Sequence, residues 1–467
     1  MKNTKIVSTI GPATDSEEKI EQIIDAGVNV IRQNFSHVSH EEHKEVYNRV
    51  RSVSEKVAIM ADTKGPEIRL GQVEEGTVLE KGHKVELTTD EVTGDEDLLS
   101  VNYSDFLDYI EAGDEVRIDD GKIELEVEEV DGTATCQIVF GGEVSSRKAV
   151  NVPGRDIGLQ APTEKDKRDI EFAAKNGYDF ISLSFVKEPS DVEEVREILE
   201  ENGSDAKIIS KIEHPKGVEN FDEILEVTDA VMVARGDLGV ETPAAELPML
   251  QKEMIEKCNK ASKPVITATQ MLESMTETPA ATRAEISDVA NAVLDGTDAV
   301  MLSGETAVGE YPVETVRFMA SVVEETESTI EEREHHTVQD VSENVQEIIC
   351  KNAWQASEEI KADNIVAHTE TGSTAQHIAK HRPETRIIAF TNSETTERQL
   401  QLVWGVKPFY MEFADTLDQM IEDSAERLKT LELAEEGHDT IFAAGIPTNT
   451  EGTTNTLQIR DTEELTE

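Results

Sequence analysis

Eight strand-like apolar runs recur between residues 4 and 309, and most are separated by an acidic, amphipathic stretch of helix length. The runs occupy residues 4–11, 29–36, 57–65, 178–186, 207–215, 230–240, 264–272 and 298–309. Eight β/α units predict a (β/α)8 TIM barrel, in which active-site residues lie at the carboxyl ends of the strands. Polar residues do gather at those ends, namely Arg32, Asn34, Ser36, Asp62, Lys64, Lys211, Glu213, Asp237 and Thr269.

The alternation is interrupted after the third run, where residues 66–159 are acidic, rich in glycine and β-like. This segment predicts a small β-barrel domain that is inserted into the catalytic barrel and acts as a lid. The catalytic barrel then comprises residues 1–65 and 160–335, and the charged stretch 331–342 is typical of a linker. Residues 343–467 predict a C-terminal α/β domain, with strands at 365–369, 386–391 and 440–444, that serves an effector or a subunit interface.

The composition is strongly acidic, with 44 Lys and Arg residues against 98 Asp and Glu residues and a net charge of −54. Such a surface repels nucleic acid and anionic membranes, so both are excluded as partners. High charge with only 37% hydrophobic residues also fits a disordered chain. The recurrent strands and glycine turns favour instead a folded, halophilic protein, because concentrated salt screens the repulsion within an acidic surface.

Three cysteines, Cys136, Cys258 and Cys350, lie far apart without a CxxC or Cys/His spacing. They predict neither a zinc site nor a disulfide framework, which fits a reducing cytosol. The first ten residues are typical of a strand rather than of a signal peptide, and no run of 18 apolar residues occurs. The sequence therefore predicts a soluble, cytoplasmic protein.

The segments KIEHP (211–215) and MVARGDLG (232–239) carry the clearest site signal. Lys211 and Glu213 are two residues apart, so on a strand both point to the same face. Asp237 ends the next strand, behind a glycine that lets a ligand approach the backbone. Two carboxylates that share a divalent cation beside a lysine suit a phosphorylated substrate. The simpler alternatives are a structural ion pair for Lys211 and Glu213, and a turn or helix-cap role for Asp237.

Six motifs carry a family resemblance: IRQNFSH (31–37), ADTKGPEIRLG (61–71), KIEHPKG (211–217), VARGDLGVE (233–241), TATQMLESM (267–275) and MLSGETAVGEYP (301–312). In this order they resemble the pyruvate kinases, and the resemblance covers essentially the whole chain. The acidic composition resembles that of a haloarchaeal member. The resemblance implies phosphoryl transfer from phosphoenolpyruvate to ADP, giving pyruvate and ATP, in a homotetramer.

The resemblance also implies roles for individual residues. Arg32 and Lys211 contact the phosphoryl group, and Gly236 and Thr269 lie on the side of the substrate carboxylate. Glu213 and Asp237 hold Mg²⁺ or Mn²⁺. The remaining implied ligands are Asn34, Ser36, Asp62 and Thr63 for K⁺, and His37 and Arg69 for the nucleotide phosphates.

The chain departs from the family pattern at three positions. His214 replaces the usual asparagine and is expected to face away from the neighbouring metal ligand, and Gln33 replaces an apolar residue. Glu188 occupies the place of a nucleotide-contacting lysine, a role that Lys187 could take over. Glu67 is the residue found in members that require K⁺, so the resemblance implies a K⁺-dependent enzyme.

A strand-to-helix loop in the C-terminal region predicts a phosphate-sized cradle, formed by Thr369, Thr371, Gly372, Ser373 and Thr374. An ordinary helix cap is the equally simple alternative. In the family this loop binds a phosphorylated effector. The later loop, residues 444–455, has no Arg or Lys for a second phosphate, which favours a monophosphate effector or none.

Physical chemistry agrees with this assignment, because a phosphoryl group in transfer needs positive charge around its oxygens more than covalent chemistry. A threonine hydroxyl is too weak an acid to protonate an enolate itself, so Thr269 is predicted to orient a proton-relaying water. Two competing functions remain. One is a metal-dependent barrel lyase or aldolase acting on pyruvate enolates, and the other is a non-catalytic, effector-binding regulator.

Overall fold

The computed structural model describes residues 2–329, 344–434, 438–446 and 454–461. The chain opens with β1 (Lys5–Thr9), α1 (Glu17–Asp25), β2 (Val30–Asn34), α2 (His40–Val53) and β3 (Ala58–Asp62). Helix α1 begins where the Ser16 side chain accepts a hydrogen bond from the Lys19 amide, and α2 begins with a capping box between Ser39 and Glu42. Local sequence thus fixes where both helices start.

The inserted domain is built from mostly antiparallel strands around its own apolar core, and β5 and β6 are its parallel pair. Its strands are β4 (Val78–Leu79), β5 (Lys84–Thr88), β6 (Leu98–Ser100), β7 (Glu115–Ile118), β8 (Ile123–Val130), β9 (Ala134–Phe140), β10 (Gly142–Glu143) and β11 (Val150–Asn151). Six of them form a sheet in the order β11-β7-β8-β9-β5-β6, and β4 pairs with β10. In β8 the buried residues Ile123, Leu125 and Val127 alternate with outward glutamates, as expected for a strand with one wet face.

The second part of the barrel follows the insertion. Its elements are α3 (Glu164–Asn176), β12 (Phe180–Leu183), α4 (Pro189–Glu201), β13 (Lys207–Ile212), α5 (Pro215–Glu219), α6 (Phe221–Val227), β14 (Ala230–Ala234), α7 (Arg235–Glu241), α8 (Leu247–Lys260), β15 (Val265–Ala268), α9 (Arg283–Asp295), β16 (Ala299–Leu302), α10 (Gly304–Ala307) and α11 (Pro312–Ser328). Eight parallel strands close in the order β1-β16-β15-β14-β13-β12-β3-β2. The predicted (β/α)8 barrel is therefore confirmed, with each strand lying within one of the eight predicted runs.

The C-terminal domain is an α/β unit, as predicted, but its sheet has five strands where the sequence predicted three. It contains α12 (Val345–Ile360), β17 (Asn364–His368), α13 (Ser373–Ala379), β18 (Arg386–Thr391), α14 (Glu394–Gln399), β19 (Val406–Tyr410), α15 (Leu417–Thr430), β20 (Asp439–Gly445) and β21 (Thr454–Asp461). The sheet order is β19-β18-β17-β20-β21, and only β21 is antiparallel to its neighbour. The predicted linker, residues 331–342, lies outside the described residues. None of the helices in the described parts of the chain is long and apolar enough to cross a bilayer.

A repeated contact closes the amino-terminal end of the barrel. An Asn or Asp lies just before β2, β12, β14 and β16, and its side-chain oxygen accepts a backbone N–H of the neighbouring strand. Two of these carboxylates are also bound by the C-terminal domain: Arg398 Nε lies 2.6 Å from Asp179, and Arg382 Nη1 lies 2.9 Å from Asp298. The C-terminal domain therefore docks on the end of the barrel opposite the polar strand ends.

Candidate active site

Lys211 lies at the centre of the barrel mouth, near the end of β13. Its Nζ is 2.7 Å from Ser184 Oγ, 2.9 Å from Glu213 Oε1 and 3.2 Å from Asp62 Oδ1. Burial alone would lower the pKa of Lys211, but the carboxylates of Asp62 and Glu213 outweigh it and hold the pKa above its ordinary value. The mouth thus contains an ammonium group that its neighbours fix in place and favour in the charged form.

Arg32 supplies a second fixed cation from the neighbouring side of the barrel. Its Nε donates to Asp62 Oδ2, and its Nη1 donates to Thr9 Oγ1 at 3.0 Å. Burial would raise the pKa of Asp62, yet the charges of Arg32 and Lys211 lower it. A single buried carboxylate therefore holds both cations in place before any ligand is bound.

Glu213 and Asp237 form the acidic side of the mouth. Burial raises the pKa of Glu213 in spite of Lys211, and Glu213 Oε2 accepts the Phe185 amide at 2.8 Å. Desolvation by the cleft walls likewise raises the pKa of Asp237, although the residue remains exposed to the cleft. A nearby cation would stabilise the charged form of both carboxylates. Such a pair suits Mg²⁺ or Mn²⁺, whose remaining ligands would be water and substrate oxygens. Within the described parts of the chain, no group of three or more His, Cys, Asp or Glu side chains could hold a metal.

The position of Asp237 in the fold corrects the sequence-based expectation. We expected it to end a strand, but β14 stops at Ala234 and Asp237 lies in the first turn of α7. The helix begins directly after the strand with Arg235, whose side chain donates to the carbonyls of Ala268 and Thr269 at the end of β15. The carboxylate is thus carried by a helix start instead of a strand end.

Thr269 follows the last residue of β15 and faces the start of α7. The Gly236 amide donates to Thr269 Oγ1 at 2.7 Å, and that hydroxyl lies 2.7 Å from the Ala268 carbonyl oxygen. A Cβ at Gly236 would lie 3.3 Å from Thr269 Oγ1. The glycine therefore permits a close approach between the two loops, where the sequence predicted close approach of a ligand.

The four oxygen ligands expected to bind K⁺ lie at or just after the ends of the adjacent strands β2 and β3. Asn34 and Asp62 are register partners on β2 and β3. Asn34 Oδ1 accepts the Ser36 amide at 3.0 Å, and Thr63 Oγ1 accepts the Ser184 amide at 3.1 Å. The donor set consists only of oxygen atoms, which fits a hard monovalent cation.

A cleft of about 260 Å³ separates the inserted domain from the barrel mouth, and its lining includes Arg69, Lys187 and Asp237. Lys187 Nζ lies 2.6 Å from Asp156 Oδ1, and Arg69 Nε lies 2.8 Å from the Glu67 carboxylate. The structure thus brings Arg69 and Lys187 to the same cleft as Asp237. His37 is exposed on the loop after β2 and is not part of this lining.

The three departures from the family pattern have local structural roles. Gln33 packs against His43 Nδ1 at 2.9 Å and Tyr178 Oη at 3.1 Å, so a polar contact replaces apolar packing. Glu188 begins helix α4 with a capping box. His214 begins α5, where its Nδ1 accepts the Lys216 amide, and it also lines the cleft.

Three further residues of the mouth were not assigned from the sequence: Ser184, Arg235 and Glu305. Ser184 Oγ links Lys211 Nζ to the Thr63 carbonyl. Glu305 is fully buried, and its carboxylate accepts the amides of Leu272 and Ser303. Each of the three is a charged or hydroxyl residue inside a segment at the end of a barrel strand, and this is the sequence signal that could have identified them.

Hydrogen bonds within the predicted effector loop and to neighbouring elements engage its polar groups. Thr369 Oγ1 accepts the Gly372 amide at 2.9 Å, and the hydroxyls of Thr374 and Thr454 are 2.6 Å apart. Ser373 Oγ accepts the Gln346 side-chain amide at 2.9 Å, and the Thr371 carbonyl accepts Lys207 Nζ at 3.1 Å. These bonds hold the loop against its neighbours. Residues 447–453 of the later loop lie outside the described residues.

Comparison with known proteins gives one consistent result. The family model for the pyruvate kinase barrel domain matches residues 1–316, and that for the pyruvate kinase alpha/beta domain matches residues 347–460. Pyruvate kinases of two Staphylococcus aureus strains, USA300 and NCTC 8325 / PS 47, are 45% identical over 469 residues, covering 98% of this chain and 80% of each relative. The crystal structure of a pyruvate kinase from Cryptosporidium parvum superposes with a TM-score of 0.93 at 38% identity, covering 98% of this chain and 96% of that one.

Proposed function

The chain belongs to the pyruvate kinase family, and we propose that the barrel mouth transfers the phosphoryl group of phosphoenolpyruvate to ADP with the residues described above. The observation that carries this proposal is the pair of cations, Arg32 and Lys211, fixed by Asp62 beside the acidic pair. Charge that is fixed in advance stabilises a transition state without reorganisation at the moment of reaction.

Arg32 and Lys211 bind the phosphoryl oxygens, and Lys211 also faces the enolate oxygen that forms as the phosphoryl group leaves. The substrate carboxylate lies toward the Gly236 amide and Thr269. Glu213 and Asp237 hold Mg²⁺ or Mn²⁺, which supplies further positive charge to the phosphoryl and enolate oxygens. In this proposal the negatively charged phosphoryl group of the substrate binds Arg32 and Lys211, and the carboxylates of Glu213 and Asp237 bind the metal.

The enolate left after transfer must be protonated at carbon. Thr269 Oγ1 already holds a polar contact to the Gly236 amide, so it is placed to orient a water toward the substrate. The ADP phosphates bind in the cleft beneath the inserted domain, at Arg69 and Lys187. His37 lies outside the lining of this cleft, and its contact to the nucleotide is proposed from the family resemblance alone. To bind the nucleotide phosphates, the Lys187 ammonium group breaks its ion pair with Asp156.

The function is tested by ADP-dependent release of pyruvate from phosphoenolpyruvate in concentrated KCl. We expect turnover with Mg²⁺ or Mn²⁺, loss of activity with a chelator, and recovery when the metal is restored. Pyruvate release without ADP would favour a lyase, and no release under any of these conditions would favour a non-catalytic regulator.

We further propose that K⁺ bound by Asn34, Ser36, Asp62 and Thr63 is needed for catalysis. Glu67 supports this proposal, because a glutamate at this position adds negative charge that K⁺ would offset. Its carboxylate lies 3.3 Å from Lys64 Nζ and 2.8 Å from Arg69 Nε. Exchanging K⁺ for a bulky monovalent cation at constant ionic strength should abolish turnover while circular dichroism still shows a folded protein. Glu67→Lys should recover part of the activity without K⁺, and Glu67→Gln serves as its control. Equal turnover of the folded protein in both salts would exclude a catalytic cation site.

A homotetramer and a halophilic, cytoplasmic setting complete the proposal. Val345 and Ile348 on α12 and Ile459 on β21 are exposed apolar residues on neighbouring elements, which suits a subunit contact. Light scattering should give four chains per particle, and Ile348→Asp should reduce that number. The net charge of −54 suits concentrated salt, and the three cysteines are buried, unpaired thiols that suit a reducing compartment.

A further inference from the structure

We propose that Arg235 is a positioning residue for the reaction: it fixes the backbone at Thr269 so that the threonine hydroxyl stays in place beside Gly236. This inference rests on the role proposed above for Thr269.

The guanidinium group of Arg235 joins the loop that carries Thr269 to α8 and α9, and on the helix side its Nη1 donates to Gln251 Oε1 at 3.4 Å. Its Nε donates to the Ala268 carbonyl at 3.2 Å, and its Nη2 donates to the Thr269 carbonyl at 2.7 Å. Nη2 also lies 2.8 Å from the sulfur of Met271, and Nη1 donates to Asp288 at 2.7 Å. The side chain is only 11% exposed, so solvent does little to compete for these donors.

The loop needs such support because its backbone is unfavourable. Thr269 and Gln270 have φ values of +70° and +54°, in the left-handed region that a β-branched residue such as threonine rarely adopts. A conformation of this kind persists only where surrounding contacts hold it, and it is concentrated at functional sites. On the far side, the buried carboxylate of Glu305 accepts the Leu272 amide at 3.1 Å and so holds the end of the same loop.

The first turn of α7 therefore holds Thr269 at two points. The side chain of Arg235 binds the Thr269 carbonyl, and the amide of the next residue, Gly236, binds its hydroxyl. Asp237 follows immediately on the same turn. A shift of Arg235 would thus move the hydroxyl relative to the carboxylate that holds the metal.

The test measures the step assigned to Thr269 separately from phosphoryl transfer, as the exchange of the pyruvate methyl protons with D₂O followed by NMR. Arg235→Ala should slow exchange at least tenfold, while the KM for phosphoenolpyruvate changes less than threefold. Added guanidinium should restore part of the lost rate. Arg196→Ala is the matched control, because Arg196 binds Asp229 at the opposite end of the barrel.

A double variant distinguishes failure of this inference from failure of the proposed function. In a Thr269→Ala background, Arg235→Ala should slow exchange by less than a further threefold. If Thr269→Ala alone exchanges at the wild-type rate, the role of Thr269 is wrong and the positioning role is lost with it. If Thr269→Ala is slow and Arg235→Ala adds its full effect, only the positioning role is wrong.

Asp288→Asn covers the case in which Arg235→Ala does not fold. This variant weakens the anchor of Arg235 and leaves its bonds to the loop in place, and Asp288 is partly exposed. We expect a roughly threefold slower exchange at an unchanged melting temperature. An unchanged exchange rate in this variant would overturn the inference.

Discussion

At the scale of the residue, Lys211 shows how one charge is prepared before the substrate arrives. Two carboxylates and the Ser184 hydroxyl surround its Nζ within 3.2 Å, so the ammonium group is both fixed and kept charged. Without the Lys211 ammonium group, the negative charges of Asp62 and Glu213 lose a neutralising partner. The transition state also loses one group that stabilises its charge.

Lys211→Met should therefore lower kcat by about 10²- to 10³-fold, the effect of losing about 3–4 kcal/mol of transition-state stabilisation. The KM for phosphoenolpyruvate should change less than kcat. Lys207→Met, at the other end of the same strand, is the matched control and should keep turnover near wild type. Retention of more than a tenth of wild-type turnover by Lys211→Met would show that Lys211 has another role.

His368 gives a pH-dependent prediction. Burial lowers its pKa to about 4, so it stays neutral in the folded state while an unfolded histidine takes up a proton below about pH 6.5. Its contribution to the free energy of unfolding is therefore present above pH 6.5 and falls as the pH drops toward 4. In His368→Gln this part of the acid-induced loss should disappear, as measured by urea unfolding at several pH values. The exposed His83→Gln is the control, and an unchanged pH slope in His368→Gln would contradict the prediction.

At the scale of the element, the sequence predicts where strands exist better than where they end. The eight barrel runs are apolar and bounded by glycine or charge, which is a local signal. The end of β15 is instead decided by Arg235, 34 residues earlier in the chain, and by Glu305, 33 residues after Leu272. Such long-range contacts leave no local pattern.

The same reason separates the predicted site residues from the others. Lys211 and Glu213 share a strand face, so their spacing alone predicts that they act together. Ser184 follows β12 and contacts Lys211 on the paired strand β13, although the two residues are 27 positions apart in the sequence. In the C-terminal domain, β19 contains Pro408 and β21 is largely polar and partly exposed, so neither carries the apolar run that identifies a buried strand.

The end of helix α12 offers a stability prediction of its own. Lys361 caps the helix with a φ of +54° and is exposed, and its amide still bonds to the Ser357 carbonyl. Glycine adopts this conformation without steric cost, so Lys361→Gly should raise the free energy of unfolding by up to about 1 kcal/mol. Thermal unfolding measures the change. Lys361→Val, which adds a β-branch at a positive φ, should lower it, and a Gly variant no more stable than the Val variant would contradict this account.

At the scale of the whole molecule, buried ion pairs join the C-terminal domain to the barrel. The side chains of Arg382 and Asp298 are 9% and 6% exposed, and Arg382 also bonds to Asn259 and the Gly296 carbonyl. Removing one member of a buried pair leaves the other charge uncompensated, which costs about 3–5 kcal/mol.

Arg382→Met should therefore lower the urea midpoint sharply, and adding Asp298→Asn should recover part of the loss because the uncompensated charge is removed. Arg460→Met, an exposed arginine on β21, should leave the midpoint unchanged. Equal midpoints for Arg382→Met and Arg460→Met would show that the buried pair does not hold the two domains together.

This docking has a consequence for the order in which the protein is made. Domains generally fold as they leave the ribosome, amino-terminal part first. Here the barrel strands end at Leu302, but the cation that binds Asp298 is Arg382, and the Trp404 amide donates to the same carboxylate at 3.2 Å. Asp179 pairs with two arginines: Arg51, which belongs to the barrel, and Arg398, which belongs to the C-terminal domain and is synthesised later. The base of the barrel therefore acquires these partners only when about a hundred residues beyond its last strand have been synthesised.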